Sequence, residues 1–151
     1  MIQRIQTVYL VLAAILLVLC CCMPLANFEP LGMGLPAVMY SLVELSKDGT
    51  ILTYLPSVLF ALVVLAEIAT VVAIMGYKNR RSQMRTCSVA MILDLLWIIG
   101  YAVITFYLKG ENTFHPCFAA CLPVLALILT WLARKAIKKD DDLVRSADRI
   151  R

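Results

Sequence analysis

Two carboxylates stand inside long apolar runs: Glu67 in "ALVVLAEIAT" and Asp94 in "VAMILDLLWI". A charged side chain at the centre of a hydrocarbon layer costs roughly 2.5–3.5 kcal/mol even on lenient scales. Such a group is therefore neutral, paired or functional. No Lys, Arg or His accompanies either acid in its run. Two carboxyls brought together in a low dielectric cannot both ionise cheaply, so a pair should hold at least one proton. That chemistry suits a proton- or cation-linked transport element. The plainer alternative is that each acid bonds a Thr, a Tyr or a backbone carbonyl and serves as polar glue between helices.

The cysteines are Cys20, Cys21, Cys22, Cys87, Cys117 and Cys121. The spacing permits one bridge between the triplet and Cys117 or Cys121, and a periplasm-facing thiol oxidoreductase would place cysteines such as Cys22, Cys117 and Cys121 there. Yet there is no C-x-x-C, the arrangement that lowers a thiol pKa. Packed, free thiols are the expectation. His115 with Cys117 and Cys121 offers three soft ligands, but H-x-C-x3-C is not a zinc spacing, and no metal or cofactor is expected. G-x-S-x-G, P-loop, H-E-x-x-H and G-x-G-x-x-G signatures are all missing. Nothing nominates an enzyme.

The elements that carry these residues follow from composition. The 151-residue chain is 62% hydrophobic and 16% charged, outside the range of soluble domains. Four apolar runs approach the roughly 20 residues that cross a bilayer, giving spans at about 3–23, 51–77, 86–108 and 117–137 of one membrane domain, with a charged tail over 138–151. Pro123 predicts a kink in the fourth. The first run has a thin basic flank and no small-residue cleavage site, so an uncleaved span is expected rather than a signal peptide. In span three, Cys87, Ala90, Asp94, Trp97 and Tyr101 recur at steps of three and four and form one helix face. In span two, Ala66, Ala69, Thr70 and Ala73 beside Glu67 allow a neighbouring helix to come close.

Lys and Arg set the threading. The N-terminus has one, the link "KNRRSQMR" four and the tail seven, against one in each of the other two loops. By the positive-inside rule, both termini and the link face the cytoplasm. The net charge of +4 thus reads as topology rather than as nucleic-acid binding. In the first exterior loop, Asp48-Gly49 signals a hairpin, with a helix over 36–46 as the alternative. In the tail, Asp141 and Arg145 are spaced for an i,i+4 pair on a helix leaving the membrane. The tail reads as a solvated helix end, with docking to a cytosolic partner or anionic lipid as the sharper reading.

The opening "MIQRIQTVYLVLAAILL", the link "YKNRRSQMRTC" and the ending "LVRSADRIR" resemble a family of small Bacteroidota membrane proteins known as domain of unknown function 4293. The resemblance runs the length of the chain. It implies four transmembrane helices in the cytoplasmic membrane of a Gram-negative cell. It implies no activity and assigns no role to Glu67 or Asp94.

The reading is an all-α, four-transmembrane-helix bundle, N-in and C-in, with a short β-hairpin in the first exterior loop. The expected function is that of a non-enzymatic accessory or scaffold subunit, its partners the lipid bilayer and a larger membrane protein or further copies of itself. The transport element and the thiol oxidoreductase are the alternatives.

Overall fold

The computed structural model describes residues 3–32, 34–76, 79–110 and 112–149. Helix α1 spans Gln3–Cys22, and Pro24, whose ring disfavours helical backbone before it, follows its last turn. Four short strands come next: β1 Ala26–Glu29, β2 Ala37–Met39, β3 Glu44–Ser46 and β4 Ile51–Thr53. Helix α2 runs over Ser57–Met75 and α3 over Arg80–Lys109. Strand β5, Thr113–Pro116, and a 3-10 turn, Phe118–Cys121, lead into α4, Leu122–Arg149.

The second helix begins six residues later than the apolar run from Ile51 suggests. Ile51–Thr53 instead pairs with β3, and Pro56, a residue barred from helix interiors, stands directly before Ser57. The third begins earlier than Thr86. The side chain of Asn79 caps it by accepting a bond from the Ser82 N–H at 3.3 Å, so the charged turn "RRSQMR" is already helix. The kink expected at Pro123 is also corrected. Pro123 is the second residue of α4, among the first-turn positions whose N–H groups have no helical partner. The fourth helix runs on through the charged tail. Of the Asp141–Arg145 pair, the Arg145 side chain lies outside the described residues.

The hairpin expected in the first loop is one part of a larger element. The five strands form an antiparallel sheet in the order β4-β3-β2-β1-β5. Gly49, at φ 78°, makes the turn between β3 and β4 that a side chain would strain. Residues 36–46 hold β2 and β3 rather than a helix. Strand β5 comes from the other connection and pairs with β1 from Ala26↔Pro116 to Glu29↔Thr113. Phe28 packs on Phe114 across that pairing, ring centroids 5.8 Å apart. The sheet therefore joins the α1–α2 and α3–α4 connections and caps one end of the bundle. The α2–α3 turn at Gly76 and Asn79 lies at the other end.

Each helix packs on two neighbours, in the cyclic order α1-α2-α3-α4. Their buried residues follow coiled-coil spacing. In α1 these are Gln6, Leu10, Ala13, Leu17 and Cys20; in α2, Leu59, Val63, Ala66, Thr70 and Ala73. In α3 they include Gln83, Cys87, Ala90, Asp94 and Trp97, the stripe visible in the sequence. The buried face is rich in small and polar residues, and the outer face is not. Ile5, Val8, Leu65, Ile92, Val103 and Phe106 are among the many large apolar side chains left exposed. All four helices are long and apolar enough to cross a membrane.

Candidate functional site

Among the buried polar side chains of the bundle is one carboxyl of α3, that of Asp94. This residue is 1% exposed, and neither of its carboxyl oxygens has a hydrogen-bond partner. Glu67, on the adjacent α2, is half-buried, and its Oε2 is likewise sealed without a partner. The two carboxyls lie close enough for the charge of Glu67 to act on Asp94. Helix pairing explains the meeting. α2 and α3 are joined by a tight turn and pack antiparallel along their length, so Asp94 and Glu67 come to similar depth. Ala66 beside Glu67 is 1% exposed and Ala90 of α3 is fully buried, and such small residues bring the two backbones close. Nearer the sheet, Gly100 serves the same seam, since a Cβ there would meet Leu59 Cδ2 at 3.2 Å.

The link expected between the acids is different in kind. With both Asp94 oxygens unbonded, no direct hydrogen bond joins the pair. Nor does either Asp94 oxygen bond a Thr, a Tyr or a backbone carbonyl. Thr70 donates to the Ala66 carbonyl of its own helix at 2.9 Å, and Thr130 does the same to Ala126 at 2.9 Å. Tyr101 donates to the Leu25 carbonyl at 3.1 Å. Cys20 lies within electrostatic reach of Asp94, and Cys21 within that of Glu67. Trp97, one turn on from Asp94, stacks on Tyr101 at 5.3 Å with planes 5° apart. Its indole N–H is buried and unpartnered.

The six cysteines are free thiols. Cys22 and Cys121 are exposed and Cys117 is half-buried, at the sheet end of the bundle. Cys20, Cys117 and Cys121 all lie within electrostatic reach of Tyr101. His115 Nε2 lies 3.8 Å from the exposed carboxylate of Glu29. Among the described residues, no cluster of three or more His, Cys, Asp or Glu side chains gathers to hold a metal ion.

Several residues here escape a reading of apolar runs. Gln6, 5% exposed with a sealed and unpartnered Nε2, sits four residues before Leu10 in the α1 stripe, and that spacing was its only signal. Asp140 looks like one of three consecutive tail aspartates, but it binds Arg80 across the helix ends at 2.9 Å. No local pattern announces a partner so far away in the chain.

The family model described as domain of unknown function, DUF4293, matches residues 2–150. The chain belongs to the DUF4293 family. The match covers nearly the whole chain, so helices, sheet and acid pair all fall within the family's domain. No curated protein matches the chain, and the family carries no activity to bring to Glu67 or Asp94.

Proposed function

We propose that this DUF4293 protein is a multi-pass protein of the cytoplasmic membrane, with both termini in the cytoplasm, acting as a non-catalytic accessory or scaffold subunit. One observation carries the membrane reading: the helices bury Ala, Cys, Thr, Gln and Asp and expose Ile, Leu, Val and Phe. In water such a surface is an aggregation hazard; in lipid it is the expected arrangement, because close packing and polar contacts, not hydrophobic contrast, hold the helices together. The distribution of Lys and Arg supports the orientation, since the basic α2–α3 turn and the long end of α4 lie opposite the sheet. The accessory reading draws support from the sheet. Its outer strand β4 has an open edge with Ile51 and Leu52 exposed, and Tyr54 beyond them is 63% exposed. An open edge can take up a strand of a neighbouring protein.

Topology is tested by cysteine labelling in whole cells, in a background with the native cysteines replaced by serine. An impermeant reagent should label Asp48→Cys and miss Ser82→Cys. Labelling at position 82 overturns the threading. The accessory role is tested by affinity capture of the full chain in mild detergent. It should bring down a larger membrane protein in fixed ratio, and the Leu52→Pro change should weaken that capture. A chain that always elutes alone overturns it.

A second reading, a proton- or cation-linked element, is favoured by the sealed, unpartnered oxygens of Asp94 within electrostatic reach of Glu67. It predicts pH-driven ion movement in proteoliposomes that is lost in Glu67→Gln and in Asp94→Asn.

A further inference from the structure

The seam between α3 and α4 opens outward as one continuous groove with two chemically distinct limbs. The limb toward the free end of α4 has a volume of about 620 Å³ and is lined by Arg81, Arg85, Arg134, Lys135 and Lys138. Two carboxylates, Asp141 and Asp142, also line it, leaving the cations in the majority. The second limb, about 450 Å³, is lined by Met91, Ile92, Leu95, Leu127 and Ile128. Ser88, Trp131 and Arg134 line both limbs and mark where one passes into the other. Trp131 is 49% exposed, and the Lys135 ammonium lies over its ring at 5.3 Å from the centroid.

Helix geometry orders these groups by depth. From Arg81 to Leu95 the groove descends about 21 Å at 1.5 Å per residue. Its charged part occupies the first turns of α3, and its apolar part starts near Ser88. An amphipathic indole at the junction sits where tryptophans gather at a membrane–water interface. From Ser88 to Leu95 the apolar limb is about 10 Å deep, most of the roughly 15 Å of one leaflet's hydrocarbon. Exposed Arg and Lys turned toward a membrane surface attract anionic headgroups, and guanidinium groups bind phosphate oxygens in pairs.

We infer that this groove is a binding site for an anionic phospholipid of the cytoplasmic leaflet, with its phosphate among Arg81, Arg85 and Arg134 and one acyl chain along Ile92, Leu95 and Ile128. The inference rests on the membrane reading above, and goes beyond it by naming a specific lipid class and a specific seam. Charge complementarity selects the headgroup, and the joined apolar limb selects a lipid over a soluble phosphate.

The test uses the full chain purified in detergent and native mass spectrometry. Phosphatidylglycerol should bind at least about tenfold more tightly than phosphatidylcholine with the same chains. Arg85→Gln combined with Arg134→Gln should bring the two lipids to within about threefold. Leu127→Trp fills the apolar limb without changing charge, and should weaken phosphatidylglycerol binding by a similar factor. Lys47→Gln, at the sheet end, should change nothing. All variants should match the parent in thermal unfolding, since every altered side chain lies on the surface or lines the open groove. Equal binding of the two lipids overturns the proposal. So does phosphatidylglycerol binding that survives both groove variants. Displacement by millimolar inorganic phosphate as effective as that by lipid marks a plain anion site and also overturns it, as does a protein ligand that competes with lipid and binds more tightly. Failure of any of these leaves the labelling result at positions 48 and 82 untouched, so the site and the topology stand or fall separately.

Discussion

The Tyr101 hydroxyl of α3 donates to the carbonyl of Leu25, the residue that carries the chain from α1 toward β1, at 3.1 Å. The same carbonyl accepts the Cys117 N–H at 3.0 Å, so three segments meet at one oxygen. Tyr101→Phe removes one of the two bonds and keeps the stack on Trp97. It should cost about 1 kcal/mol. Tyr101→Ala also loses the stack and leaves a void, and should cost roughly 3–5 kcal/mol. Unfolding in mixed detergent measures both; equal losses would show that the hydroxyl contributes nothing of its own.

Asp94 is sealed in the bundle, so its variants separate charge from shape. Asp94→Asn replaces one polar group with another of the same size and should stay within about 1 kcal/mol of the parent. Asp94→Lys brings an obligate charge into the buried stripe, and a loss above about 4 kcal/mol is expected, the range reserved for unpaired buried charges. Yield of monodisperse protein and its thermal midpoint report the difference. A well-folded Asp94→Lys would mean that Glu67 pairs with the new cation, and adding Glu67→Gln should then unfold it.

Arg80 holds the long end of α4. Its guanidinium meets the Asp140 carboxylate at 2.9 Å and the Asp140 carbonyl at 3.0 Å. The side chains are only 25% and 12% exposed, so solvent screens the pair less than an open surface bridge. Arg80→Gln should cost about 1 kcal/mol. Hydrogen exchange over residues 138–149 should speed up, while the sheet is unaffected. Unchanged exchange there would assign the order of this segment to α4 alone.

Glu44 makes the sheet sensitive to pH. It lies in β3, is 7% exposed, and burial raises its carboxyl above the usual glutamate range. The folded state therefore holds the proton more tightly than the unfolded chain. Its contribution is fully present below the ordinary glutamate pKa and is lost as pH rises through the raised folded value. Amide exchange in β2, β3 and β4 should quicken as pH rises through that window, after correction for the intrinsic rate. Glu44→Gln should abolish the dependence and slow exchange at neutral pH.

Gly100 marks how closely α2 and α3 approach. A methyl group there would press on Leu59 at 3.2 Å. Gly100→Ala trades better helix propensity for that crowding and should be close to neutral. Gly100→Leu should cost about 1–3 kcal/mol by overpacking, read from the thermal midpoint. A tolerated Gly100→Leu would show that the seam can spread.

The helical part of this fold was legible because its signals are local. The α3 stripe from Cys87 to Tyr101 needs only a period and a window of fifteen residues, and it correctly put Asp94 indoors. The start of α2 was misjudged because Ile51 and Leu52 join the apolar run that follows, and hydropathy does not distinguish a strand from a span. The Asp48-Gly49 turn was visible from its residue types. The rest of the sheet was not. β1, "ANFE", and β5, "TFHP", are four residues each, too short to show alternation, and they pair across more than eighty positions of chain. Of the candidate site, the burial of Asp94 could be read. Its bonding could not, because whether Tyr101 turns to Asp94 or to Leu25 depends on where the sheet sits.

The junction of β1 with β5 has a consequence for how the protein is made. When α1, the first four strands and α2 have emerged from the ribosome, β1 already has β2 on one side and a bare edge on the other. That edge stays bare until α3 has followed and β5 arrives. A molecule without β5 thus displays a bare β1 edge, the feature that invites proteolysis or mispairing, and in the finished sheet that edge is paired. On the proposed membrane reading the junction forms once α3 has crossed and before α4 is threaded, which makes it a built-in mark of the third crossing that a membrane quality-control protease could read.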